Sequence, residues 1–345
     1  MFVAFVNFFG DAANLFSIGY EEKIAFEILK GNNVTNVHNY NERLLQKYLI
    51  NNSSLCPEVL VIGSSRVMEI RSTNFKAKTF FNNGLSGASI EDLFAIIQMY
   101  DQKNVLPKKI IIGLDPWTLN VNNGQSRWLT LDLEYNRFLN LMSKNSSKNE
   151  DNPIEKTKYS LKKNIYFKEL FSPSYFKGSL LSLISKNRKP LVVTIKKVNN
   201  TATKLSDGSL SYTLEYRSPS KDELEKRVSD YVNGDIYSIE NFDRLDKNIQ
   251  TKLEFLINYL LYKNVNIEFF LAPYHPKVYS FIAKSEKYRQ VIESEKYFIF
   301  LGVKYGVKIH GSFNPNILNL DNSYFYDGMH CNEKGIEKIL MSDRK

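Results

Sequence analysis

The sequence predicts an α/β protein: a three-layer α/β/α fold around a five-stranded parallel sheet, with a large insertion after the third strand. Three observations carry this. The runs 59–62 (VLVI) and 109–114 (KIIIGL) are short, nearly all apolar and rich in β-branched residues, as strands buried on both faces are. Between them lies an amphipathic helical pattern opened by the capping-box-like Ser89-Ile90-Glu91-Asp92. Strand–helix alternation of this kind builds a parallel sheet. It stops near Thr118 and resumes at Asn241, and the intervening stretch is irregular and rich in Lys, Asn, Ser and Tyr.

Taken in order, Met1 to Phe9 is apolar and aromatic, but nine residues cannot cross a bilayer, which takes about 20 in a helix. No basic segment precedes it, so it is not a signal peptide. It fits the tail of a membrane anchor or a core-packing helix. Tyr20–Lys30 and Asn41–Leu49 have helical patterns. Pro57–Ile62 is the first strand. Lys78–Phe81, ended by Asn82-Asn83-Gly84, is the second, and Lys109–Leu114 the third. Ile90, Leu93, Phe94 and Ile97 space the helix between the last two.

Inside the break, Lys189–Ile195 reads as a strand. Asp207-Gly208 is a turn before Leu210, Tyr212 and Leu214, which alternate like a further strand, so the insertion is expected to carry its own small sheet or hairpin. Leu245, Ile249, Leu253, Leu256 and Leu260 then mark a long helix, and Asn266–Leu271 is the fourth strand. Tyr279–Leu301 is largely helical, Val307–Ile309 is the fifth strand, and Asn332 caps a last helix. The expected organisation is an N-terminal helical segment, 1–56, a core from 57–117 and 234–345, and an insertion, 118–233.

Of the 345 residues, 43% are hydrophobic, ample for a packed core, and the net charge of +9 suits an anionic partner. No nucleic-acid-binding motif accompanies that charge, and there is neither a Gly-x-Gly-x-x-Gly nor a Walker pattern, which argues against a nucleotide- or flavin-binding domain. Cys56 and Cys331 have no metal-ligand or disulfide spacing. No metal and no cofactor is expected.

The chemistry concentrates where the strands end. Gly63-Ser64-Ser65-Arg66 follows the first strand, and in an open parallel sheet ligands bind outside the carboxyl ends of the strands. Gly63 permits a sharp turn. A serine there is a candidate nucleophile, although a plain turn serine is the commoner role. Asp327-Gly328-Met329-His330 follows the last strand at the same edge. A carboxylate three residues before a histidine can accept the Nδ1 proton, fix the tautomer and leave Nε2 free to act as a base.

In these residues the chain resembles the SGNH (GDSL-type) hydrolases and acyltransferases, whose short sequence blocks lie along a flavodoxin-like sheet. Gly63-Ser64-Ser65 stands where that family often has Gly-Asp-Ser, which makes Ser65 the nucleophile. In Asn83–Ser89, Gly87 matches the glycine whose N–H, with that of Ser65, serves the oxyanion hole. Asp327 and His330 match the acid and base. The third block departs: Gly113-Leu114-Asp115-Pro116 puts Asp115 where the family has an amide donor, and an ionised carboxylate cannot donate. We expect Asp115 instead to pair with Arg66, just past the neighbouring strand.

Gly-x-Asp-Pro-Trp at this place, with Pro273-Tyr274-His275-Pro276 after the fourth strand, resembles the branch acting on bacterial cell-surface polymers such as capsular polysaccharide or teichoic acid. The resemblance implies an acyltransferase or esterase, an acyl donor, and a carbohydrate polymer as acceptor held by the insertion. It also implies a cell-envelope, membrane-associated location outside the cytoplasm, with the membrane or a membrane-bound acyltransferase as a partner. A cytoplasmic location is the alternative. His275 would contact substrate or be a loop histidine bonded to backbone. Aromatics such as Trp117, Trp128 and Tyr274 suit sugar stacking or core filling. The competing function is a non-catalytic polymer-binding or scaffold subunit, which the departure at Asp115 favours and the intact Ser65, Asp327 and His330 oppose.

Overall fold

The computed structural model describes residues 2–10, 19–37, 40–145, 171, 176–177, 179–180, 191–196 and 198–342. Two sheets organise them. The larger is parallel and five-stranded. In chain order its strands are β2 (Val59–Ile62), β3 (Phe80–Asn82), β4 (Lys109–Gly113), β8 (Asn266–Leu271) and β9 (Lys308–Gly311), and in space they run β3-β2-β4-β8-β9. Every pair in this sheet is parallel. Numbered within this sheet, the order is 2-1-3-4-5, so direction reverses beside β2, the first strand. A doubly wound sheet opens its ligand crevice at that switch point.

The alternation of side chains sorts the core onto two faces. Leu60, Ile62, Ile110, Ile112, Ile267, Phe269 and Ile309 share one cluster. There they meet helices α4 (Ile90–Gln102), α8 (Lys247–Tyr262) and α10 (Arg289–Tyr305) through Phe94, Leu256 and Phe298. Val59, Val61, Ile111 and Phe270 point the other way, onto Ile336 and Ile339 of α11 (Glu333–Met341). The sheet therefore has helices on both faces, which is why its strands read as unbroken apolar runs.

The smaller sheet is antiparallel, in the order β5 (Val192–Thr194), β1 (Asn33–Thr35), β6 (Thr203–Lys204), β7 (Leu210–Ser211). It is not the insertion's own: β1 comes from the N-terminal segment and lies between two insertion strands. The expected strand through Tyr212 and Leu214 stops at Ser211. Thr213 accepts the Tyr216 N–H and caps a short helix, α6 (Leu214–Arg217), so the local cap overrides the alternation. Of Lys189–Ile195, Lys189 and Pro190 lie outside the described residues and the strand is Val192–Thr194. Much of the expected insertion, including 146–170, 181–190 and Lys197, also lies outside them.

The remaining helices are α1 (Phe2–Gly10), α2 (Tyr20–Leu29), α3 (Glu42–Asn52), α5 (Asp132–Asn145), α7 (Lys221–Asn233) and α9 (Pro276–Lys284). The start of the expected insertion is tied to the chain that follows it: Asp246 N–H donates to Leu119 O, and the Asn120 amide to Ser238 O. Among the described residues no helix is long and apolar enough to cross a membrane.

Candidate active site

The turn after β2 is built by two glycines. Gly63 has φ +148°, and a Cβ on it would press against the backbone of Gly113 at the end of the adjacent β4. Only glycine at both positions lets the two strand ends approach this closely. Ser64 and Ser65 then divide the work. The Ser64 hydroxyl accepts from Arg66 N–H and caps a 3-10 turn, Ser65–Val67. Ser65 is left half-buried, with its hydroxyl pointing at the last loop.

That loop, 325–331, closes as a tight hairpin. Phe325 bridges Cys331, and Tyr326 N–H donates to His330 O. Asp327 Oδ1 accepts both the Met329 and His330 N–H groups at 2.8 Å, which folds the carboxylate back over its own loop. Oδ2 is then aimed at the ring: His330 Nδ1 lies 2.9 Å from it, and His330 Nε2 lies 2.9 Å from Ser65 Oγ. With its Nδ1 proton on Asp327, the imidazole presents Nε2 as an acceptor for the serine hydroxyl. Asp327 is buried, which alone would raise its pKa. The charge and hydrogen bond of His330, the Tyr216 hydroxyl and the Met329 N–H outweigh burial and hold the carboxyl well below the usual carboxylate range.

Tyr216 escapes sequence reasoning. It sits on α6, in the insertion, and its hydroxyl donates at 2.5 Å to Asp327 Oδ2, the oxygen that also faces His330. Arg227 on α7 fixes it: Nη1 reaches Tyr216 O and Tyr326 O, and the guanidinium lies 4.8 Å from the Tyr216 ring centroid. Tyr212 adds an edge to the His330 ring at 6.4 Å. Neither tyrosine lies in a motif, so only the fold brings them here.

Arg66 is the hub beneath the site. Nη1 donates to Asp115 Oδ1 at 3.0 Å, Nε to Met329 O at 3.1 Å and Nη2 to Ala272 O, while the guanidinium stacks 4.4 Å from the Tyr274 ring. It thus ties the ends of β2, β4 and β8 to the loop carrying His330. Asp115 is buried and spent on Arg66 and on capping the turn Pro116–Leu119.

Gly87 lies in the loop after β3 with φ +54°. Asn82 anchors the start of that loop: its amide donates to Val67 O and Ile70 O, and its Oδ1 accepts Gly84 N–H. The rest is held by α3, the second contribution sequence reasoning missed. Glu42 accepts the Ser86 N–H and hydroxyl, Gln46 reaches Asn83, and Arg43 pairs with Asp92 while reaching Gly87 O at 3.4 Å. Within the described residues the N–H groups of Ser65 and Gly87 donate to no protein acceptor. Free backbone donors of this kind are what a developing oxyanion would need.

His275 caps α9: its Nδ1 accepts Lys277 N–H, and its own N–H donates to Gly328 O. Burial and the Lys277 charge push its pKa down to about 4, so it is neutral at neutral pH. It abuts the loop 325–331 through Gly328 and makes no hydrogen bond to Ser65 or His330. Trp117 and Tyr274 are fully buried and fill the core, while Trp128 packs edge-on against Tyr135. No group of His, Cys, Asp and Glu side chains with metal-binding geometry occurs among the described residues. Cys331 is buried, which pushes its thiol up to about 12.

No protein-family model matches the sequence, and no curated protein matches it.

Proposed function

We propose that this chain is a serine acyl-transfer enzyme of the SGNH (GDSL-type) class, an O-acyltransferase or esterase acting on a bacterial cell-surface polysaccharide, with acetyl the simplest acyl group. The observation that carries the reading is the continuous relay from Ser65 Oγ through His330 to Asp327, with 2.9 Å at each step. In the proposed reaction Ser65 Oγ attacks the acyl carbonyl and its proton passes to His330 Nε2. Asp327 stabilises the imidazolium that forms, and Tyr216 shares the charge on Asp327. The Ser65 and Gly87 N–H groups receive the oxyanion. His330 then returns the proton to the leaving oxygen, giving an acyl-Ser65 ester, and a sugar hydroxyl or water deprotonated by His330 resolves it.

Asp115 supports transfer over hydrolysis. Bound to Arg66, it supplies no third oxyanion donor, and one such donor is worth about 2.7–4 kcal/mol. A positioned sugar hydroxyl regains that through proximity, worth up to about 7–11 kcal/mol, whereas water does not. The proposed setting is the cell envelope, with the insertion, which already supplies Tyr212 and Tyr216, facing the acceptor. The same absence of a third donor favours the second reading, a non-catalytic polymer-binding subunit. A serine-directed fluorophosphonate decides between them. The enzyme reading expects covalent labelling of the full chain that is lost in Ser65→Ala. An unlabelled, folded wild-type chain would favour the binding subunit.

A further inference from the structure

One buried imidazole takes no part in the relay and leaves a donor unspent. His275 is 3% exposed, and its Nδ1 accepts the Lys277 N–H at 3.2 Å, so in the neutral ring the proton sits on Nε2. That Nε2 is buried and has no hydrogen-bond partner among the described residues. Buried polar groups in native folds are nearly always matched, and a donor left without an acceptor is costly. The Nε2–H therefore calls for an acceptor from outside the chain.

The same histidine lines a cavity of about 320 Å³, walled by α7, the start of α9 and the turn at Asn322 and Ser323. Small-molecule sites have volumes of roughly 300–1,000 Å³. Val228 and His275 are buried and Leu224 is half-buried, which gives the cavity a floor with one apolar side. Lys221, Glu225 and Lys277 are exposed and stand at its mouth. Glu225 is spent on Lys277, at 3.3 Å, whereas Lys221 has no ion pair among the described residues. Two lysines against one glutamate leave the cavity positive. Lys221 opens α7 and His275 caps α9, so the positive ends of both helix dipoles add to that sign.

We propose that this cavity is a binding site for a small anionic saccharide, whose carboxylate or phosphate accepts the His275 Nε2–H and pairs with Lys221. Leu224 and Val228 offer the carbon face of a sugar ring an apolar wall. The residues of the site are not those of the relay. They are joined to it through His275, whose N–H donates to Gly328 O in the loop that carries Asp327 and His330. The proposal goes beyond the acyl-transfer reading and stands whether or not Ser65 is acylated.

The test is calorimetric titration of the full chain with D-glucuronate, D-glucose 6-phosphate and D-glucose at low salt, for wild type, His275→Asn and Lys221→Met, alongside a melting curve of each. Asparagine is a strong N-cap, so His275→Asn keeps an acceptor for the Lys277 N–H while removing the Nε2 donor. The expected result is that at least one anionic sugar binds wild type about tenfold or more tighter than glucose, and that each substitution removes most of that preference. The tighter anion tells carboxylate from phosphate. In proton NMR of wild type the same anion should shift the His275 Nε2–H resonance, which is identified by its absence from His275→Asn. Three results overturn the proposal: no anion preference in wild type, a preference retained in either variant, or a His275 resonance unmoved at saturation. Lys221 is exposed, so Lys221→Met carries the comparison if His275→Asn melts early. Binding is read without turnover. A chain that fails to acylate Ser65 but shows the His275- and Lys221-dependent preference loses the proposed reaction and keeps this site.

Discussion

Arg66→Met separates stability from positioning at the base of the site. Arg66 and Asp115 are both buried, 3% exposed each, so removing the guanidinium strands a carboxylate in the interior at a cost of about 3–5 kcal/mol. Met329 O and Ala272 O lose their donors as well, adding roughly 1–3 kcal/mol. The sum approaches the whole stability of an ordinary domain, roughly 5–15 kcal/mol. A second substitution, Asp115→Leu, removes the stranded charge, and an apolar pair in place of a buried ion pair is often neutral. Urea unfolding of wild type, both single variants and the double variant should therefore give a coupling energy of about 3 kcal/mol or more. Turnover of 4-nitrophenyl acetate should not follow. Without Arg66 the Ser65 turn loses its backbone anchor on Met329, and a displacement near 1 Å costs about a hundredfold. Turnover that returns together with stability in the double variant would refute a positioning role for Arg66.

Tyr216→Phe leaves Asp327 Oδ2 to His330 Nδ1, so the imidazolium gains and the acid limb of kcat/KM should move to higher pH, with the fold retained. An unmoved limb would make Tyr216 a packing residue only. Gly87→Ala forces a left-handed backbone on alanine, at about 1–2 kcal/mol, and drives its Cβ into the Tyr237 hydroxyl and Arg127. Its N–H should shift, so kcat should fall more than stability explains, and an unchanged kcat would take Gly87 out of the oxyanion site. The Asp327 carboxyl is depressed in the folded chain, so its stabilising share is complete above about pH 4, its unfolded value, and is lost as pH falls below that. The stability gap between wild type and Asp327→Asn should hold from pH 7 to 5 and narrow below pH 4. A gap that widens on acidification would contradict this sign.

The strands of the large sheet were legible because burial on both faces leaves a run such as Val59–Ile62 no polar residue to blur it. Ser65 lies just past β2, Asp327 and His330 lie three apart in the last loop before α11, and the fold brings the three within hydrogen-bond reach of one another. The pairing of Arg66 with Asp115 followed from the adjacency of β2 and β4. What could not be read depends on contacts far apart in sequence. The strand Asn33–Thr35 is only three residues and finds its partners at Thr194 and Lys204. Glu42, Arg43 and Gln46 lie in a stretch that the sequence marks only as helical, and they hold the Gly87 loop from the buried side. Tyr216 was one tyrosine among many until α6, capped by Thr213, turned it toward Asp327.

The most direct test of the account is to incubate the full chain with an activated acetyl ester, quench in acid, and locate any acetyl group by peptide mass spectrometry. The account predicts a single acetyl group on Ser65, lost in Ser65→Ala and strongly reduced in His330→Ala. An adduct on another residue, or acetyl turnover that survives Ser65→Ala, would contradict it.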